Sequence, residues 1–134
     1  MAMTLLESDY AKWALENAKA IRNGQPFDSI RVAEQLELLA ITEDLELCSR
    51  FADIIELKLA IDAGHNERQE RAAVHRNQMY IKTLLNRSPS LKEQLTPKLM
   101  RAAYEQGKNI YAIRYSIMSS PLVCPYSWEE LIGE

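Results

Sequence analysis

Glycine and proline are scarce in this chain: four Gly and five Pro in 134 residues. Both gather at a few points, which argues against a turn-rich sheet protein and for helices. Gly24, Gly64, Gly107 and Gly133 stand alone, so there is no glycine-rich phosphate loop and a nucleotide fold has no support. The two cysteines, Cys48 and Cys124, are far apart and form no metal-like pair. They point to a reduced compartment without a structural bridge. No apolar run approaches the roughly 18 residues that a membrane span needs, and Met1 to Leu6 is too short for the apolar core of a signal segment. The expectation is a cytoplasmic protein with no membrane role. Sixteen basic residues against 19 acidic ones leave a net charge of -3, which gives no long-range attraction for nucleic acid. No repeat and no low-complexity tract is present.

Helix-spaced aliphatic residues are abundant. The central feature is a helical hairpin from Asp28 to Leu85, folded back at Asp62-Ala63-Gly64, with Gly64 as the left-handed cap. Before it, Ser8 or Asp9 caps a helix carrying Tyr10, Trp13, Ala14, Ala18 and Ile21, with both aromatics docked on the hairpin. Val32, Leu36 and Leu39 share one face of the next element. Thr42, followed by Glu43 and Asp44, reads as a fresh N-cap, so a break is expected there. The stripe beyond it holds Leu47, Phe51, Ile54, Ile55 and Ile61, and the returning arm offers Val74, Ile81, Leu84 and Leu85. Leu38, Leu45 and Leu57 fall off these stripes, and Asp53 and Glu56 point away from them.

Pro89 starts a short turn through Leu95. Thr96-Pro97 opens a last long helix with Leu99, Ala103, Ile110, Ile113 or Arg114, and Ile117 inward, ending at Ser119-Ser120-Pro121. Gly107 inside it costs about 1 kcal/mol relative to alanine, which close contact with a neighbouring helix would explain. Ser127 with Glu130 forms a capping box for a final turn. These elements make an all-α, antiparallel bundle of about four main helices with accessory turns, in one domain over 1–134. Residues 1–6 are a loose lead-in, and the tail 119–134 packs back through Tyr126 and Trp128.

Some charges face inward. On a helical wheel Lys58 and Asp62 continue the Leu47–Ile61 stripe, and Glu67 and Glu70 continue the Val74–Leu85 stripe backward, so all four meet at the closed end of the hairpin. They can form an ion-pair network at a wet helix end, a spot for a partner, or a metal or acid–base site. Glu34 and Glu37 are further acids with a possible place in such a set. A di-iron bundle would need Glu-x-x-His motifs, and the chain has none. His65, in the turn, and His75, facing outward, do not give zinc its ligands. Neither thiol has a base nearby. Arg68, Arg71 and Arg76 on the outer side of the returning arm are the candidate nucleic-acid contacts, interleaved with acids. No cofactor is called for.

Several stretches resemble the bacterial family called domain of unknown function 29, small helical proteins common in cyanobacteria and some proteobacteria. They are Tyr10-Ala11-Lys12-Trp13, Ala33-Glu34-Gln35-Leu36-Glu37, Ser49-Arg50-Phe51, Ser88-Pro89-Ser90-Leu91, Ala103-Tyr104 and Cys124-Pro125-Tyr126-Ser127-Trp128-Glu129-Glu130-Leu131. The middle departs from the family pattern, at Leu57, Ala60-Ile61, Gln69-Glu70 and Arg76-Asn77-Gln78. The resemblance implies a helical bundle and no known activity. A non-enzymatic protein that binds itself, as a dimer, or another protein is the leading expectation. A carboxylate or metal enzyme at the hairpin end and a nucleic-acid binder are the alternatives.

Overall fold

The computed structural model describes residues 4–65, 68–117 and 119–134. Among these residues every regular element is helical. Four long helices carry the architecture: α2 (Tyr10–Arg22), α3 (Ser29–Asp62), α4 (Arg68–Arg87) and α5 (Pro97–Tyr115). The accessory pieces are α1 (Leu5–Ser8), a 3-10 stretch at Pro89–Gln94 and α6 (Trp128–Ile132). The protein is thus an all-α bundle of four main helices with short accessory turns. It divides into two compact units, one ending at Ile41 and the other spanning Thr42–Glu134.

Local chemistry places the helix ends. Asp9 caps α2 by accepting from the Lys12 N–H, and Thr96 caps α5 by accepting from that of Leu99, with Pro97 at the first position. Gly24 and Gly64 take the positive φ that ends each preceding helix. The break expected at Thr42 does not occur: α3 runs unbroken for 34 residues. Ala40-Ile41-Thr42 contains neither Gly nor Pro, and continuing a formed helix costs far less than nucleating a new one. Residues 5 and 6, expected in a loose lead-in, belong to α1, which Thr4 caps.

In the first unit a polar hub joins α2 to the start of α3. Asn17 donates to the Trp13 carbonyl at 2.9 Å and accepts the Asp28 N–H at 2.8 Å. The Trp13 indole N–H points to Asp28 at 3.5 Å, and Arg31 pairs with the same carboxylate at 3.3 Å. Trp13 stands 6.0 Å from the Tyr10 ring and is the one buried residue described in this unit. The inward face expected at Leu36 and Leu39 is instead open to solvent, and Val32 is half-buried.

The second unit holds the core. Leu47, Phe51, Ile54 and Ile55 of α3 are fully buried among Ile81 and Leu84 of α4, Ala103 of α5 and Leu131 of α6. Three neighbours cover this part of α3. On one side Arg50 lies 4.0 Å over the Tyr80 ring of α4. On another, α5 approaches so closely that a Cβ on Gly107 would stand 2.6 Å from the Ala52 carbonyl oxygen. The tail covers the third side, with the Trp128 ring tilted against that of Phe51, centroids 4.7 Å apart. Covering α3 this widely overturns two expectations: Leu57 and Glu56 are both buried, although a single stripe places them outside. The α5 stripe is also rotated. Tyr104, Gly107 and Tyr111 face inward, while Ile113 is 82% exposed, and the helix ends at Tyr115 rather than at Ser119.

Candidate functional site at the closed end of the hairpin

At the end of α3 the backbone turns through Asp62-Ala63-Gly64, and the tail segment before α6 crosses beside it. Between them lies a cavity of about 470 Å3, lined by Lys58, Ile61 and Asp62 of α3, Arg71 and Val74 of α4, and Pro125, Tyr126 and Glu130 of the tail. Lys58 and Asp62 face the same space but form no ion pair with each other. Asp62 accepts a hydrogen bond from the Tyr126 hydroxyl, and the Lys58 ammonium rests 5.6 Å from the Tyr126 ring centre. Burial, followed by the Asp62 carboxylate, raises the Tyr126 hydroxyl far above the ordinary tyrosine range, so it remains a protonated donor. Glu130 is engaged as the acid of the α6 capping box: its Oε1 receives the Ser127 N–H at 3.3 Å.

The other expected carboxylates that are described do not line this cavity. Glu70 is half-buried on α4, with one carboxylate oxygen sealed from water and without a hydrogen-bond partner among the described residues. Glu67 lies outside the described residues. Glu34 and Glu37 are exposed in the first unit. The arginine trio divides as well. Arg68 and Arg76 line an open groove with Gln69 and Ala72, whereas Arg71 lines the Lys58 cavity. Among the described residues, no three His, Cys, Asp or Glu side chains converge in a way that could hold a metal ion. Both cysteine thiols are pushed up by burial, which keeps them protonated.

The model of one protein family, described as domain of unknown function DUF29, matches residues 5–134. The chain belongs to that family. No curated protein and no solved structure matches the chain. In this DUF29 protein three of the stretches that carry the family resemblance act as fasteners. Ser88 donates to Glu43 at 2.7 Å, the Tyr104 hydroxyl donates to the Pro121 carbonyl, Tyr126 grips Asp62, and Trp128 covers Phe51.

Sequence reasoning missed a second polar group in the same unit. Glu56 is 2% exposed, and its Oε1 lies 2.7 Å from an Arg114 guanidinium nitrogen, without a well-directed hydrogen bond. Burial raises the Glu56 carboxyl, and Arg114 opposes that rise. Tyr115, next in sequence, lies tilted against the His65 ring at 4.9 Å, and its hydroxyl is raised by burial and by the nearby Glu56 and Glu70. One signal was available: Gly107 fixes which face of α5 meets α3, and Arg114 lies two turns further along that side.

Proposed function

We propose that this DUF29 protein works by association, pairing with a second copy of itself through the first unit, as a non-enzymatic protein of the cytoplasm. One observation carries this reading. The unit buries Trp13 and leaves Tyr10, Leu15, Ile21, Phe27, Ile30, Leu36, Leu38, Leu39 and Ile41 between 43% and 73% exposed. So small a unit, with one buried side chain among its described residues, gains little stability from its own core. Covering its aliphatic residues would remove apolar surface on the scale of a standard interface, about 800 Å2 per partner.

Charge favours a second copy as the occupant. In α2, Lys12, Lys19 and Arg22 outnumber Glu16, whereas in the first part of α3 Glu34 and Glu37 outnumber Arg31. A two-fold pairing that sets α2 of one protomer against α3 of its partner joins opposite charges twice, as an isologous contact does. The cytoplasmic placement draws support from the free cysteines and from the described residues, among which no helix is long and apolar enough to cross a membrane.

The test is the solution mass of the untagged protein by light scattering, beside the double variant Leu36→Lys/Leu39→Lys. A dimer that the double variant converts to a folded monomer is the expected result. A monomeric native protein at high concentration, or a dimer indifferent to both substitutions, would remove the proposal.

A further inference from the structure

We propose that the outer face of α4, over its first turns, is a contact surface for the phosphate backbone of a nucleic acid strand. Helix α4 carries five arginine and lysine residues and a single acid, Glu70, in a chain whose net charge is -3. In sequence that acid sits among the arginines; in the fold it does not. Arg68, Ala72 and Arg76 recur at four-residue intervals and share one face, and Glu70, two residues from Arg68, projects from the opposite side. Glu70 is half-buried with one carboxylate oxygen sealed from water, whereas Arg68 and Arg76 are exposed.

The two arginines are available. Neither takes part in an ion pair or a ring contact among the described residues, and their groove is lined by Arg68, Gln69, Ala72 and Arg76, with no acid. The other cations of α4 are occupied: Arg71 is engaged, Lys82 reaches the Gly133 carbonyl at 3.5 Å, and Arg87 pairs with Glu43 at 2.9 Å.

The chemistry of the face selects its partner. Eight residues of helix set the Arg68 and Arg76 backbones about 12 Å apart. A strand with a charge at every nucleotide meets both guanidinium forks at once, and the small Ala72 between them lets it lie close. Gln69 adds amide donors to the same wall. A protein partner would need an apolar anchor at the centre of the contact, where this groove has Ala72. An anionic membrane calls for about four to eight cations beside an apolar face. The excess of acid elsewhere in the chain confines the attraction to this patch, so contact is strongest at low salt. None of these residues belongs to the first unit, and the assignment is independent of self-pairing.

The experiment is fluorescence anisotropy of the full-length protein with labelled oligo(dT) and oligo(U) of about 20 nucleotides, as salt rises from about 20 to 200 mM. Expected is saturable binding of at least one oligonucleotide that weakens linearly on logarithmic axes. The double variant Arg68→Met/Arg76→Met should weaken it about tenfold or more at low salt and lower the slope by about 1.4, the share of two single-strand phosphates. Lys98→Met/Arg101→Met removes the same charge from exposed positions of α5 and should change neither quantity. Failure of both oligonucleotides to saturate at low salt would overturn the assignment. So would binding that survives in the folded α4 double variant, or that falls equally in the α5 one. Equal or tighter binding of polyglutamate or of phosphatidylserine vesicles would give the face to another partner and overturn it too.

Discussion

The Glu56 carboxylate and the Arg114 guanidinium meet at 2.7 Å between α3 and α5, the acid 2% exposed and the arginine side chain 61% exposed. The pair is one-sided: a charge taken out of water is held by one that remains largely in it. Glu56 Oε1 has no other partner among the described residues, so its charge depends on this contact.

Replacing Arg114 should therefore cost more than a surface arginine normally does. For Arg114→Met the expected loss is about 2 kcal/mol in urea unfolding, below the 3–5 kcal/mol of a fully enclosed pair because water can follow into the vacated position. Combining it with Glu56→Gln should recover much of that loss, since the orphaned charge is then gone. Equal stability of the single and double variants would show that the ion pair is not what the arginine supplies.

Acidity should act on the same residue in a definite direction. Burial raises Glu56, with Asp53 adding to the rise and Arg114 opposing it, and burial raises Asp53 as well. The folded state then binds these protons more tightly than the unfolded chain does. Between the ordinary carboxylate values and the raised ones, their contribution to stability grows as pH falls and shrinks as pH rises. Glu56→Gln should flatten this part of the stability–pH curve relative to the native protein. An unchanged curve would mean that Glu56 titrates normally in the fold.

Gly107→Ala should destabilise, against the helix-propensity gain of about 1 kcal/mol. The new Cβ would meet the Ala52 carbonyl oxygen at 2.6 Å and the Ile55 side chain at 3.0 Å, neither the far end of a flexible chain. Overpacking of this kind typically costs about 1–3 kcal/mol, so a net loss, with a lower melting temperature, is expected by calorimetry. A raised melting temperature would show that α5 can shift without penalty.

Amide hydrogen exchange should distinguish the two units. Amides in the middle of α3 within the second unit, around Phe51 to Ile55, lie under fully buried side chains and should be the slowest. Those of α2 should exchange quickly in dilute protein and slow as concentration rises, because association supplies the cover that the first unit lacks. Exchange in α2 that does not vary with concentration would count against self-pairing.

Much of the fold was legible because it rests on near-neighbour chemistry. Asp9, Thr96-Pro97 and the Ser127/Glu130 box announce helix starts within three residues of themselves, and Gly64 announces the turn by its backbone freedom. Gly107 even announced a close helix approach. Lys58 and Asp62 were placed on one face by the helical period alone, and they do share a cavity.

Only the tertiary structure decided what those faces meet. Asp62 finds its partner in Tyr126, 64 residues away, where no local spacing points. Glu56 and Leu57 are buried because α4, α5 and the tail cover α3 on several sides, whereas a wheel assumes a single buried stripe. The reverse holds for Leu36 and Leu39, helix-spaced as a core face should be, yet open to solvent. Periodicity reports which side chains point the same way along a helix; burial depends on which other helices arrive there, and distant parts of the chain determine that.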